Sequence, residues 1–342
     1  MIVTTYSLAA SIFALLIGPL SDRIGRKKVL ILGLTLFTLS SIVTYFVSSL
    51  ASLLIVRMLT GLSAGALSTG SLSYAADHYA YSLRGRAMGI LSMSYFASFA
   101  IGVPLGAVVA SRWGWSSVFG GLAITSLLVL IGIAFLLPND SGRSTTSYSL
   151  HSLGRHFFKA DRLSGMIAAF FTSGGIVGFL TYLGSWLSLE HGVSIDRIGL
   201  VFVASGLAAA AASPIAGWLA DHAGKRSVIV MANLALAVLF AVVARLEWGV
   251  GLFVAIGGLS IAASSRQGPL HALTTELVGA EIRGEYIALR NAASQLGVAV
   301  VAAASAAAYQ RGGFQTVSTI AAISTLLVPL TCIWLKEPDH AR

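Results

Sequence analysis

Residues Gly18 to Leu30 read GPLSDRIGRKKVL, and residues Gly217 to Ile229 read GWLADHAGKRSVI. Gly18, Asp22 and Gly25 fall on Gly217, Asp221 and Gly224, and Arg26 and Lys27 on Lys225 and Arg226, at a constant offset of 199 residues. The same offset carries Asp77 to Glu276 and Arg84-Gly85 to Arg283-Gly284. One offset held across two separate loops marks an internal repeat, so the chain is built from two halves of similar design.

Outward from these loops the sequence is a series of apolar blocks of about twenty residues. Hydrophobic residues make up 56% of the 342 and charged residues only 10%, against about 25% charged in a soluble domain. Blocks of that length cross about 30 Å of hydrocarbon as helices, which satisfy their own backbone hydrogen bonds as lipid requires. Eleven spans are predicted: 1–20, 29–49, 51–75, 86–110, 117–137, 163–187, 197–220, 227–246, 249–275, 284–308 and 314–335. The expected organisation is an N-terminal bundle over 1–137 (five spans), a central loop over 138–162 and a C-terminal bundle over 163–342 (six spans).

The net charge of +9 does not point to nucleic acid, because its placement is one-sided. One set of loops holds most of the Lys and Arg, whereas the other holds only Arg112, Arg197, Arg245 and Arg311. Excess positive charge marks cytoplasmic loops, which puts Met1 outside and the C-terminus inside a bacterial-type inner membrane. At the repeat offset the first five spans land on the last five, and span 163–187 has no partner. The expectation is a six-plus-six architecture lacking its first helix; a genuine eleven-span design is the alternative.

The repeated loop has a physical logic. Gly18 and Gly25 permit close helix approach and a tight turn, and Asp22 can cap a helix or pair with a base. Asp77 ends another span on the same side, within the expected reach of Arg26, and Asp221 and Glu276 are their repeat partners. Gly18, Asp22, Gly25, Arg26, Lys27, Asp77, Asp221 and Glu276 are therefore expected to form a latch that holds helices in one state and releases them in another. The plainer reading is that the basic residues only set topology. GPLSDRIGRKK closely resembles the signature between the second and third helices of the major facilitator superfamily, and the degenerate second copy and long central loop fit that family. The resemblance covers the whole chain apart from the absent first helix. It implies an all-α fold of two facing bundles and alternating access to a solute held near the midplane.

Two more stretches carry the resemblance. In LLIVRMLTGLSAGA, Arg57, Gly61 and Gly65 match the family's fourth-helix motif, whose arginine is associated with proton coupling. An arginine within a span is a functional candidate; near the outer end it can also snorkel to the surface. IGVPLGAVVASRWGWSSVF looks like the fifth-helix motif of the drug/proton antiporter group of arabinose-efflux-permease-like proteins, through Gly102, Pro104 and Gly106. Pro104 removes one helical hydrogen bond, and the glycines allow bending or close contact.

Secondary transporters often use buried carboxylates as proton sites. All 13 acidic residues here lie in loops, tails or near span ends. His271 is the alternative titrating group, since an unperturbed imidazole has a pKa of about 6.5. Arg266, Gln267 and His271 sit in the cytoplasmic half of one span, where Gly268-Pro269 is expected to disturb the helix. Tyr95, Asn233, Asn291 and Gln295 are further polar groups within spans, and Asn291 and Gln295 share one helix face. Coupling or solute contact is thus expected among Arg57, Tyr95, Arg266, His271, Asn291 and Gln295, with Gln295 facing the cavity; the plainer readings are a snorkelling Arg266 and a hydrogen-bonded core His271, asparagine and glutamine as helix glue, and a transporter that does not couple to protons.

No catalytic constellation, metal-ligand spacing or GxxxxGK phosphate loop occurs in the sequence, so neither an enzyme nor a cofactor is expected. The resulting expectation is a secondary transporter of a small organic solute, exporting it in exchange for protons and able to act as a monomer. An uptake symporter on the same fold and a non-transporting or truncated membrane protein are the alternatives.

Overall fold

The computed structural model describes residues 1–78, 94, 98–138, 159–278 and 283–335. They form α1 (Ile2–Ile24), α2 (Arg26–Phe46), α3 (Leu50–His78), a π-turn (Ser98–Gly102) leading into α4 (Val103–Trp113), and α5 (Trp115–Leu136). Further along the chain come α6 (Ala160–Leu189), α7 (Ile195–Ala223), α8 (Lys225–Val243), α9 (Val250–Glu276) and α10 (Arg283–Thr331). Among the described residues there is no strand, and eight helices are long and apolar enough to cross a membrane. The expected spans 284–308 and 314–335 appear as two arms of α10, divided only at Gly312 and Gly313, where the backbone leaves helical angles. The Thr316 hydroxyl closes the first arm by donating to the Ala308 carbonyl at 2.7 Å. Span 86–110 lies partly outside the described residues.

By contacts the chain divides into two compact units, Met1–Ser94 with Val109–His156, and Tyr95–Val108 with Phe157–Arg342. The π-turn and the first half of α4 thus belong with the second unit, although they precede α5 in the chain. The π-turn ends at Gly102, two residues before Pro104. Proline brings no N–H to the carbonyl four residues back, and a local change of helical pitch is the usual accommodation. Pro104 and Ala107 then pack on Gly199 of α7, at 3.9 and 3.6 Å from where a Cβ would stand.

Lipid supplies no hydrophobic drive between helices, so close packing and hydrogen bonds hold each unit together. In the first unit a side chain on Gly61 would collide with the Tyr6 carbonyl, and one on Gly65 would come within 2.8 Å of the Ala10 carbonyl, so α1 and α3 cross backbone against backbone. Thr38 and Ser126 share a buried 2.9 Å hydrogen bond between α2 and α5. In the second unit α6 and α10 meet as closely, with Gly297 against the Phe170 carbonyl. Phe179, Phe240, Phe314 and Trp186 fill its core, with the Trp186 and Phe314 rings stacked at 4.4 Å.

The repeat is visible in the backbone. Gly25 has φ 100° and ψ 149°, and Gly224 has φ 89° and ψ 136°. Each ends one helix and begins the next, and each carbonyl accepts from the residue four on, Val29 or Val228, at 3.3 Å. That conformation is open essentially to glycine alone, which is why both copies carry one.

Candidate functional site

The second unit contains a cavity of about 110 Å³ walled by α6, α7 and α9. Its apolar wall comes from Ile176, Val177, Leu180, Leu183, Phe202, Ala209, Ile256, Leu259 and Ala263, and its polar groups from Ser173, Ser205, Ser260, Ser264, Arg266 and Gln267. A mostly apolar pocket with a few placed polar groups is the usual form of a small-molecule site.

The polar groups are held by packing and hydrogen bonds. Arg266 is 1% exposed. It donates to Asn233 Oδ1 on α8 at 2.6 Å and to the Thr172 carbonyl on α6 at 3.0 Å, while its Nε is buried without an acceptor. Asn233 is itself fixed by donating to the Ile229 carbonyl at 2.7 Å. Ser294 of α10 donates to Ser173 at 2.6 Å. The hydroxyls of Ser205 and Ser260 make no hydrogen bond among the described residues and remain available to a ligand. α9 runs unbroken from Val250 to Glu276 through Pro269. The disturbance expected at Gly268-Pro269 is therefore confined to one missing hydrogen bond rather than a break, and Arg266 stays in helical register with Ser260 and Ser264.

One turn beyond the cavity, Arg290 of α10 donates to His271 Nδ1 at 3.0 Å. Arg290 is buried and His271 is exposed on the unit's surface. A guanidinium can only donate, so Nδ1 accepts and the imidazole here is neutral, with its proton on Nε2. Nearby, the Tyr286 hydroxyl donates to the Arg162 carbonyl at 3.1 Å. Arg290 escaped the sequence reading although it stands inside an apolar block; a charge within a span was the signal that could have found it.

In the first unit Arg57 is half-buried, with its guanidinium 4.7 Å from the centroid of the Phe119 ring of α5. Its Nε has no acceptor. The arginine is thus engaged inside the unit by a cation–π contact. Lys27 donates to the Leu137 carbonyl at 2.7 Å, tying the start of α2 to the end of α5. Arg26 opens α2 immediately after Gly25.

Asn291 and Gln295 are half-buried on α10 and neither lines the cavity. Tyr95 lies outside the described residues, as do the surroundings of Gly18 and the side chains of Asp22, Asp77, Asp221 and Glu276. Among the described residues no group of His, Cys, Asp and Glu has a metal-binding arrangement.

The chain matches the Major Facilitator Superfamily over residues 1–194 and 165–342. It belongs to that family. Membership makes it a multi-pass membrane transporter of small molecules rather than an enzyme. It is 24% identical to the Uncharacterized MFS-type transporter YbcL of Bacillus subtilis, over 99% of this chain and 87% of that one. It is 27% identical to the Purine ribonucleoside efflux pump NepI of Shigella sonnei, over 75% of this chain and 63% of that one. The crystal structure of a D-xylose-proton symporter superimposes with a TM-score of 0.81 at 18% identity, covering 96% of this chain and 85% of that one. This likeness establishes the two-bundle fold.

Proposed function

We propose that the protein exports a small organic solute across a bacterial inner membrane in exchange for protons, by alternating access, with the solute held in the second unit's cavity. The observation that carries this reading is the cavity itself, an apolar space at mid-helix depth with free serine hydroxyls and a buried arginine on its wall. Export is favoured by relatives named as efflux proteins: NepI, and the Multidrug resistance protein MdtM of Salmonella typhimurium, 29% identical over 54% of this chain and 44% of that one. His271, hydrogen-bonded to Arg290, and Arg57, against Phe119, are the coupling groups of this proposal. The loop residues from Gly18 to Lys27, with Asp77 and the second-half copies Asp221 and Glu276, serve as the latch. The chain acts as a monomer with its C-terminus in the cytoplasm, following the placement of Lys and Arg.

The test uses everted membrane vesicles energised to carry protons inward, with a purine ribonucleoside, an aromatic acid and a lipophilic cation as solutes. An exporter accumulates its solute in these vesicles, and collapsing the proton gradient abolishes the accumulation. Solute driven out of preloaded vesicles identifies an uptake symporter instead. Identical behaviour in vesicles lacking the protein ends the transport reading for these three solute classes.

A further inference from the structure

We infer that the solute taken by this cavity carries an anionic head group on an apolar body, and that Arg266 is the residue that selects it. The inference rests on reading the cavity as the solute site. Arg266 stands at the middle of α9 and remains charged, because a guanidinium does not deprotonate in proteins. Two of its five N–H donors are used, by Asn233 and the Thr172 carbonyl, and both acceptors are neutral. A buried cation with only neutral partners is costly, and more so in a membrane.

Among the described residues no carboxylate pairs with it. On α9 itself the first acid is Glu276, ten residues further on, or roughly 15 Å along the helix. On α6 the acid is Asp161, eleven residues before Thr172, or roughly 16 Å away. Asp196 and Asp221 stand at the two ends of α7, and α8 contains no acid. The missing negative charge is supplied by what enters the cavity. Leu180 of α6, Phe202 of α7 and Leu259 of α9 receive an apolar body, and Ser205 and Ser260 offer neutral hydrogen bonds. An arginine fork matches a carboxylate or similar oxyanion through paired N–H donors.

The full chain is purified in neutral, lipid-free detergent, so that phospholipid head groups do not compete. Benzoate, benzamide and benzylammonium, which share one ring and differ in head-group charge, are titrated calorimetrically. Benzoate is expected to bind at least about tenfold more tightly than the other two. Arg266→Gln removes that preference and Arg266→Lys retains part of it. Equal affinities on the wild type, or a benzoate preference that survives Arg266→Gln, overturn the inference. If Arg266→Gln is not recovered monodisperse, the order of the three probes on the wild type decides alone. Ser260→Phe fills the cavity and leaves Arg266 in place. Loss of benzoate and benzamide binding in that variant, combined with equal wild-type affinities, keeps the cavity and discards the charge selection. Binding of both untouched by Ser260→Phe, or no binding of any probe, discards the cavity reading and the inference with it.

Discussion

The two halves use the same repeated helices to opposite ends. At the 199-residue offset α1 corresponds to α7, α2 to α8 and α3 to α9. In the first half Gly61 and Gly65 bring α3 onto the backbone of α1 at Tyr6 and Ala10. Their counterparts Ser260, Ser264, Ser205 and Ala209 line the cavity of the second half. A glycine pair lets two backbones touch, whereas serines hold them apart and leave hydroxyls in the gap. The neighbouring crossing differs just as much. Leu67 packs on Gly33 beside buried Leu34 in the first half. Arg266 and Asn233 stand at the positions of Leu67 and Leu34 in the second, joined by a 2.6 Å hydrogen bond. One half is closed and apolar at this level, while the other is open and charged.

The contrast breaks most readily at its centre. Gly61→Leu drives a side chain into the Tyr6 carbonyl and is expected to cost about 3 kcal/mol or more, seen as loss of monodisperse protein and a lower unfolding midpoint. Ser260→Leu at the equivalent place fills space instead, so the unfolding midpoint holds while solute binding falls. Equal destabilisation by the two would mean that the halves do not differ as described.

The Arg266–Asn233 pair sharpens the comparison next. Arg266→Leu alone leaves Asn233 buried without its partner, at an expected cost of about 1–3 kcal/mol. Arg266→Leu with Asn233→Leu copies the first half, and stability is expected to recover while export stays lost. A thermodynamic cycle over the two sites reads the coupling. If the double variant transports normally, Arg266 has no part in the solute site.

Gly25→Ala and Gly224→Ala test the likeness rather than the difference. Both glycines have the same positive-φ geometry, so each substitution is expected to cost about 1–3 kcal/mol, with the two midpoint shifts similar in size. A large loss at one and none at the other would break the repeat at this turn. Arg57→Lys is the smallest change, replacing the guanidinium of a cation–π contact with Phe119 worth about 0.5–2 kcal/mol. Stability is expected to drop slightly and export to slow; unchanged export would remove Arg57 from coupling.

Much of this was legible in the chain. The apolar blocks located the helices, and the repeated loop located the turn glycines and the correspondence between halves. The grouping of Val103–Val108 with the second unit was less so, because the pattern of apolar residues does not register which helices a segment packs against. Arg266 and His271 stood out as polar groups in a span. Their partners did not: Asn233 looked like ordinary helix glue, and the Thr172 carbonyl has no sequence signal at all.

The sequence by itself determined that the chain is helical, membrane-spanning and doubled, because hydrophobic length, loop charge and a constant offset are properties of local composition. Only the tertiary structure decided where the doubled design diverges. Whether two helices touch or leave a cavity depends on which faces meet across a crossing, and residues close in space there, such as Thr172, Asn233 and Arg266, are far apart along the chain.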